Sequence, residues 1–401
     1  MRNTLLILGC FVAATALTSA YSVKKDCGKH DSRNRLIANI IKVIQQKETA
    51  LFQYFYRKHA SKSISVTGVL EFIAKTLHAL YKPHDAARTL KTLGLDNIEQ
   101  AIEITRFIVD EIEKCSNVHQ KYEVYADRSN RFRNSYKNNL ADVCRGETKY
   151  IDYNNDREVD YYINKWFSSP ENQDGRVRNR CFKRNGIVFS ASFNLIASFD
   201  NNVDNTLRNT HVNYRFKNGA VSRMPALSGI FEVLYFEDKK INAQFIQISI
   251  NKGDGHVIYG LPQNRKDLPL VIEKLSNETQ RNILIKSMKR MNVEITSIIG
   301  AAFMKNGMEQ YFISQGITLN GYTNVLQGST ANVNAIVQNI NITLQEVKPQ
   351  SPYPSSHLQG RNKCRTKFII NSAVVYKIAL TKYNIPYGFG LYDFAKHGEF
   401  N

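Results

Sequence analysis

The chain has 401 residues, 43% of them hydrophobic and 22% charged, a balance that supports a large buried core and excludes wholesale disorder. Against 35 Asp and Glu stand 54 Lys and Arg, a formal net charge of +19 that concentrates anionic partners. No recognised nucleic-acid motif accompanies that charge, so sulfated glycans, acidic proteins or membrane surfaces are the partner classes it favours.

Residues 1–20 read as a secretory signal peptide. Arg2 is the positive start, LLILGCFVAATAL the apolar stretch, and Thr18-Ser19-Ala20 the small-residue cleavage site. The apolar run is short for a membrane span and no other segment is long enough to cross a bilayer, so the expected mature chain starts near Tyr21 and is secreted. Its cysteines are Cys27, Cys115, Cys144, Cys181 and Cys364, with no CxxC spacing, which argues against zinc. In an oxidising compartment this odd count leaves at least one thiol free or paired between molecules, and the pairing stays open.

The N-terminal third has helical periodicity. Over 33–58, Leu36, Ile37, Ile40, Ile41, Val43, Ile44, Leu51, Phe52 and Phe55 share one broad face. A second helix is expected over 66–80 and a short amphipathic one through DAARTLKTLGL. A third starts at Asp96, where Asp96 and Glu99 form a capping-box pattern ahead of Ile98, Ala101, Ile102, Phe107, Ile108 and Ile112.

The pattern then turns to strands. KYEVYAD at 121–127 reads as a strand, and VDYYINKWF at 159–167 as a short helix with Trp166 packed in the core. Basic clusters fall at Arg128, Arg131 and Arg133 and at Arg176, Arg178, Arg180, Lys183 and Arg184, the second being the candidate anion-binding group. From 186 onward GIVFSASFNLIASF, AQFIQISI, HVIYGL, VEITSII, VNAIVQNINITLQEV, KFIINSAVVYKIAL and YGFGLYDF are β-like. In the fifth of these Ile340, Ile342 and Leu344 alternate with Asn341, Thr343 and Gln345, the period of a half-buried strand. Asn277-Glu-Thr279 is a candidate glycosylation site in a polar stretch; Asn341-Ile-Thr343 fits the same pattern within a strand. Helices followed by strands, without a βαβ rhythm, specify an α+β domain with mostly antiparallel sheets.

No catalytic constellation emerges. GxSxG, HExxH, GxxxxGK and GxGxxG are absent, and the histidines are scattered singly. His256, in an apolar strand, reads as a hydrogen-bonded structural residue. No catalytic residue, metal or cofactor is expected, and the chain is not expected to be an enzyme. The irregular stretch 347–364, VKPQSPYPSSHLQGRNKC, is the unusual feature: it holds Pro349, Pro352 and Pro354, three of the nine prolines, between two strands.

In their order these elements resemble the serpin family, from about Leu36 to Phe394. The resemblance is carried by SISVTGVLEFIAKTLHAL with TLKTLGL, by KYEVYADRSNRF, and by YINKWF at 162–167. It continues through the block SRMPALSGIFEVLYFEDKKINAQFIQISINKGDGHVIYGLP, the strand NAIVQNINITLQEV, and the closing strands SAVVYKIAL and YGFGLYDF. It implies a serpin fold of three β-sheets with about eight or nine helices, as a single domain over 21–401 with an exposed reactive-centre loop at about 347–367. In inhibitory members a protease cleaves this loop, which then inserts into the central sheet as a new strand. The cleavage candidates here are Arg361, Asn362 and Lys363, and the Lys348-to-Phe368 span is only slightly shorter than the family norm.

The same resemblance exposes departures. The hinge reads Glu346, Val347, Lys348, Pro349 where the family carries Glu-Glu-Gly-Thr followed by small residues. Ser-Pro-x-Ser appears as Ser65-Val66-Thr67-Gly68, the shutter asparagine as Ser190, and the breach tryptophan as Ser198. Prolines lack the N–H that a central strand must donate, so loop insertion is disfavoured. The expected function is that of a secreted, monomeric, non-inhibitory or weakly inhibitory binding protein. Its expected partners are an extracellular protease or other secreted protein, with heparin-like or other anionic glycans, and neither nucleic acid nor a membrane. The alternative is a functional inhibitor of a trypsin-like serine protease or a cysteine protease, cut near Arg361–Lys363.

Overall fold

The computed structural model describes residues 33–58, 63–164, 182–203, 207–298, 301–344 and 366–393. Helix α1 covers 33–58 and buries Ile37, Ile40, Ile41, Ile44, Leu51, Phe52 and Phe55, the stripe its periodicity predicts. Glu48 lies on the same stripe, fully buried, which no hydrophobic pattern reveals.

Strand β1 (Ile64–Val66) leads through Thr67 into α2 (Gly68–Tyr81), with the Thr67 hydroxyl accepting from the Val69 N–H at 3.3 Å. At Gly68 a Cβ atom would stand 2.4 Å from the Ile44 carbonyl oxygen, so only glycine lets α2 start this close to α1. Helix α3 (Pro83–Thr92) starts on a proline, whose missing N–H has no partner to lose in a first turn. Helix α4 (Ile98–Glu113) is capped one residue later than the sequence pattern suggested. Asn97 is the cap, its side-chain oxygen accepting from the Gln100 N–H at 2.8 Å, while the Gln100 side chain accepts from the Asp96 N–H.

Strand β2 (Val118–Asp127), helix α5 (Asn134–Cys144), strand β3 (Glu147–Ile151) and helix α6 (Asp156–Val159) follow; a π-helical turn, Asp160–Asn164, extends the last. Beyond it come β4 (Gly186–Ala197), β5 (Arg208–Arg215), β6 (Val221–Asp238), β7 (Ala243–Ile250) and β8 (Gly255–Pro262). Helices α7 (Leu268–Ser276) and α8 (Glu278–Ser287) precede β9 (Lys289–Ile298), β10 (Ala301–Gly307) and α9 (Glu309–Ser314). The chain closes with β11 (Asn332–Leu344), β12 (Lys367–Ile369), β13 (Val374–Leu380) and β14 (Ile385–Tyr392).

The described strands form two hydrogen-bonded sheets. One has nine strands in the order β1-β14-β13-β8-β7-β6-β9-β12, with β5 on β6; the other has five, β10-β11-β4-β2-β3. The long strand β6 unites what the resemblance counts as two sheets. Its first part pairs with β5 (221–228), its middle with β9 (226–235) and its end with β7 (234–238). Between the two sheets lies the main core, which α1 and α2 share with the inner face of β4, Ile187, Phe189, Ala191, Phe193, Leu195 and Ala197. Nine α-helices among the described residues complete the α+β architecture.

Cys115 and Cys144 are free and buried, and burial pushes both thiols up, to about 11 and about 12, which keeps them unreactive. Trp166, Cys27, Cys181 and Cys364 lie outside the described residues.

Candidate functional site

The central feature of the five-stranded sheet is the seam between β4 and β11. These strands run parallel and are paired from Asn332↔Gly186 to Leu344↔Ala197, with one irregularity between Val333 and Ala335. On the outer sides β10 and β2 pair antiparallel with β11 and β4. A strand that turned back after Leu344 would run antiparallel to both β4 and β11. The other parallel pair, β2 and β3, runs the opposite way to β4, so the seam is where such a returning strand finds antiparallel neighbours on both sides. The chain between Leu344 and Thr366 connects the top of the seam to β12. That strand pairs parallel with β9, and the Lys367 ammonium lies 3.4 Å from the Glu294 carboxylate.

Two faces of the seam differ. Inward, Ile336, Ile340 and Ile342 sit in the core, and Gln338, fully buried among them, donates its side-chain N–H to the Thr67 carbonyl at 3.2 Å. This bond ties the seam to the start of α2 beneath it. Outward, the lower half is covered by an apolar cluster of Tyr125, Ile151, Tyr153, Val159, Val188, Ala335 and Val337, which seats α6. The upper outward row is polar except for Ile196: Ser192, Asn194 and Ile196 stand opposite Asn339, Asn341 and Thr343. Among the described residues the buried side-chain oxygens of Gln338, Asn339 and Asn194 have no protein partner.

At the top of β4, Ser198 is locked to Asn251, whose left-handed backbone (φ 54°) starts the turn between β7 and β8. The Ser198 N–H and hydroxyl both donate to the Asn251 side-chain oxygen, at 2.8 and 3.1 Å, and the Asn251 N–H returns a bond to the Ser198 carbonyl. The Asn251 amide also donates to the Ser116 carbonyl at 2.8 Å. A polar clamp thus stands at the position where the resemblance places the breach tryptophan.

The remaining predicted positions distribute as follows. Ser65 is fully buried in β1, and Gly68 makes the close helix contact described above. Ser190 pairs with Val337, a member of the outer cluster, so its side chain belongs to the outer face. The buried polar link is made by Gln338, three residues beyond Ala335 on the partner strand. Asn277 is exposed and caps α8, its side-chain oxygen accepting from the Gln280 N–H at 3.1 Å. Lys183 and Arg184 are exposed just before β4. Burial lowers the pKa of His256. The hinge residues Glu346, Val347, Lys348 and Pro349, the prolines Pro352 and Pro354, the candidates Arg361, Asn362 and Lys363, and Arg176, Arg178 and Arg180 all lie outside the described residues.

No family model and no curated protein matches the sequence. Solved structures do. Protease nexin-1, crystallised with heparin, superposes with a TM-score of 0.71 at 12% identity, covering 90% of this chain and 100% of that one. Human thyroxine-binding globulin in complex with thyroxine gives 0.69 at 13% identity over 88% of this chain and 98% of its own. The chain has the serpin fold. A second thyroxine-binding globulin complex gives 0.67 at 12% identity, over 87% and 98%. The five-stranded sheet, with β4 and β11 parallel at its centre, is the sheet at which the sequence resemblance places its expected loop insertion. Gln338 and Asn251 escaped the sequence reading because nothing local marks them, and Thr67 entered it only as part of the altered Ser65–Gly68 motif. Gln338 and Thr67 are 271 residues apart, and Asn251 is 53 residues from Ser198.

Proposed function

We propose that this serpin-fold chain is a secreted binding protein that inhibits proteases weakly or not at all. One observation carries the reading: the seam is paired from Asn332 to Leu344 with a single irregularity, and the segment that would have to enter it contains Pro349, Pro352 and Pro354. A strand between two neighbours donates an N–H at every residue, alternately to either side, and each proline withholds one. Each missing bond costs on the order of 1–3 kcal/mol, which removes much of the drive for insertion. The partners we propose are an extracellular protease or other secreted protein, together with an anionic glycan that the +19 charge would attract. Heparin with protease nexin-1 is a precedent for a sulfated glycan on this fold, and thyroxine with thyroxine-binding globulin one for a binding role of another kind.

A second reading, an active inhibitor of a trypsin-like or cysteine protease cut near Arg361–Lys363, draws support from the seam itself. The strands are closed in the five-stranded arrangement, and three buried oxygens along them lack protein partners, so the closed joint is imperfectly satisfied. Incubation with a panel of trypsin-like and cysteine proteases separates the two readings. We expect cleaved chain without a detergent-resistant covalent complex. Such a complex forming at near-equal stoichiometry would overturn the binding-protein reading and establish the inhibitor.

A further inference from the structure

At the end of the five-stranded sheet remote from Leu344, the fold gathers basic residues that are separate in sequence. The chain leaving β2 runs through 128–133 before α5. There the Arg131 guanidinium lies 5.4 Å from the Tyr150 ring centroid and donates to the Arg128 and Asn130 carbonyls, at 2.9 and 3.0 Å, which fixes its direction. The Lys137 ammonium, on the first turn of α5, lies 5.8 Å from the same ring. The Tyr150 hydroxyl is itself held by the Phe132 N–H at 3.1 Å. One aromatic ring thus supports two cations no more than about 11 Å apart.

The Asn130 side chain donates to the Arg184 carbonyl and draws Lys183 and Arg184 to the same place. The facing acids are Glu158, which pairs with Arg128 at 2.9 Å, and Asp127, which accepts from Ser129 and the Tyr153 N–H and lies near Arg184. Among the described residues, no carboxylate pairs with Arg131, Lys137 or Lys183.

We propose that Arg131, Lys137, Lys183 and Arg184 form a binding site for a sulfated glycan chain. The proposal rests on the reading that this protein has an anionic glycan partner, and not on the state of the loop. A linear polyanion matches four cations, three of them without an acidic partner among the described residues, brought together between the foot of β4 and the start of α5. A bilayer surface fits less well, because none of the large apolar side chains exposed among the described residues falls within 128–137 or 182–185. Glycan bound here lies at the end of the sheet opposite the loop attachment, so it leaves the loop free to meet a protein partner.

The test uses the full chain and a heparin octasaccharide. Wild-type protein, the patch variant Lys137→Gln/Lys183→Gln/Arg184→Gln, and a control that removes the same charge, Lys239→Gln/Lys240→Gln/Lys266→Gln, are titrated at several salt concentrations. The patch variant is expected to bind at least tenfold more weakly at physiological salt. Its plot of log affinity against log salt should be shallower by about two to three, as for the loss of that many ionic contacts. The control should stay within twofold of wild type, and Arg131→Gln alone should fall between the two. Equal weakening of patch and control variants overturns this site while leaving an anionic partner standing. Absence of wild-type binding at physiological salt overturns both. Binding to phosphatidylserine vesicles that the patch variant abolishes, with octasaccharide binding unchanged, reassigns the patch to a membrane surface and overturns the glycan.

Discussion

His78 shows what a single burial does. It sits in α2 with 3% exposure, its Nδ1 2.8 Å from the Tyr322 hydroxyl and its Nε2 3.7 Å from the Asp85 carboxylate. Burial lowers its pKa to about 4, with Asp85 opposing and Lys82 and Lys75 assisting. The unfolded chain takes up this proton near pH 6.5, whereas the folded one refuses it down to about 4. The associated stability is therefore complete above 6.5 and drains away as pH falls through that window, by roughly 3 kcal/mol at most. The His78→Gln variant should lose about one proton's worth of slope in unfolding free energy against pH between 6.5 and 4.5. Parallel slopes for variant and wild type would mean that the folded protein protonates His78 freely.

Between elements, the buried pair Glu48 and Lys377 joins α1 to β13. The Lys377 ammonium is 3.3 Å from the Glu48 carboxylate and 4.1 Å from the Phe389 ring centroid, with Arg281 nearby. Burial raises the Glu48 carboxyl toward neutrality against the pull of Lys377, and lowers the Lys377 ammonium against the pull of Glu48. Each charge is tolerated because the other is there. Lys377→Met should lower stability by about 3–5 kcal/mol, and adding Glu48→Met should restore most of it. Additive losses in denaturant midpoints would show that the two groups do not support each other. The same scale shows what the sequence could convey. AQFIQISI is β7 residue for residue, and the alternation of Ile340 and Ile342 marks the core face of β11. Strand β5 gave no signal because only Val212 and Tyr214 of its eight residues are buried. Strand β6 entered only through the resemblance, and it carries Pro225 and Gly229, two residue types disfavoured inside strands. Pro225 is exposed and pairs only with His211 of β5, a position at which a proline is tolerated. The seam itself could be inferred only by resemblance, since its parallel partners are separated by about 150 residues and no local pattern encodes which strands meet.

Over the whole molecule the question is whether the sheet can gain a strand. Insertion would exchange the β4–β11 bonds for two new sets, one on each side of the loop, and would have to break the Gln338–Thr67 tie or carry it along. Pro352 and Pro354, two residues apart, would withhold N–H groups from the same neighbour, and Pro349 from the other. Cutting the loop after Arg361 or Lys363 frees the segment to enter if entry is favourable. For a domain this large a melting temperature moves by only about 1–2 °C per kcal/mol, so a rise of more than about 10 °C would report the many kcal/mol that a whole inserted strand contributes. We expect the cleaved protein to melt within a few degrees of the intact one. The variant Pro349→Ala/Pro352→Ala/Pro354→Ala restores three donors, and its cleaved form should gain measurably over its intact form. A large rise in the cleaved wild-type protein would mean that the three missing donors do not prevent entry. No rise in the alanine variant would move the obstacle from the loop to the seam, to the Ser198–Asn251 clamp and the Gln338 bond.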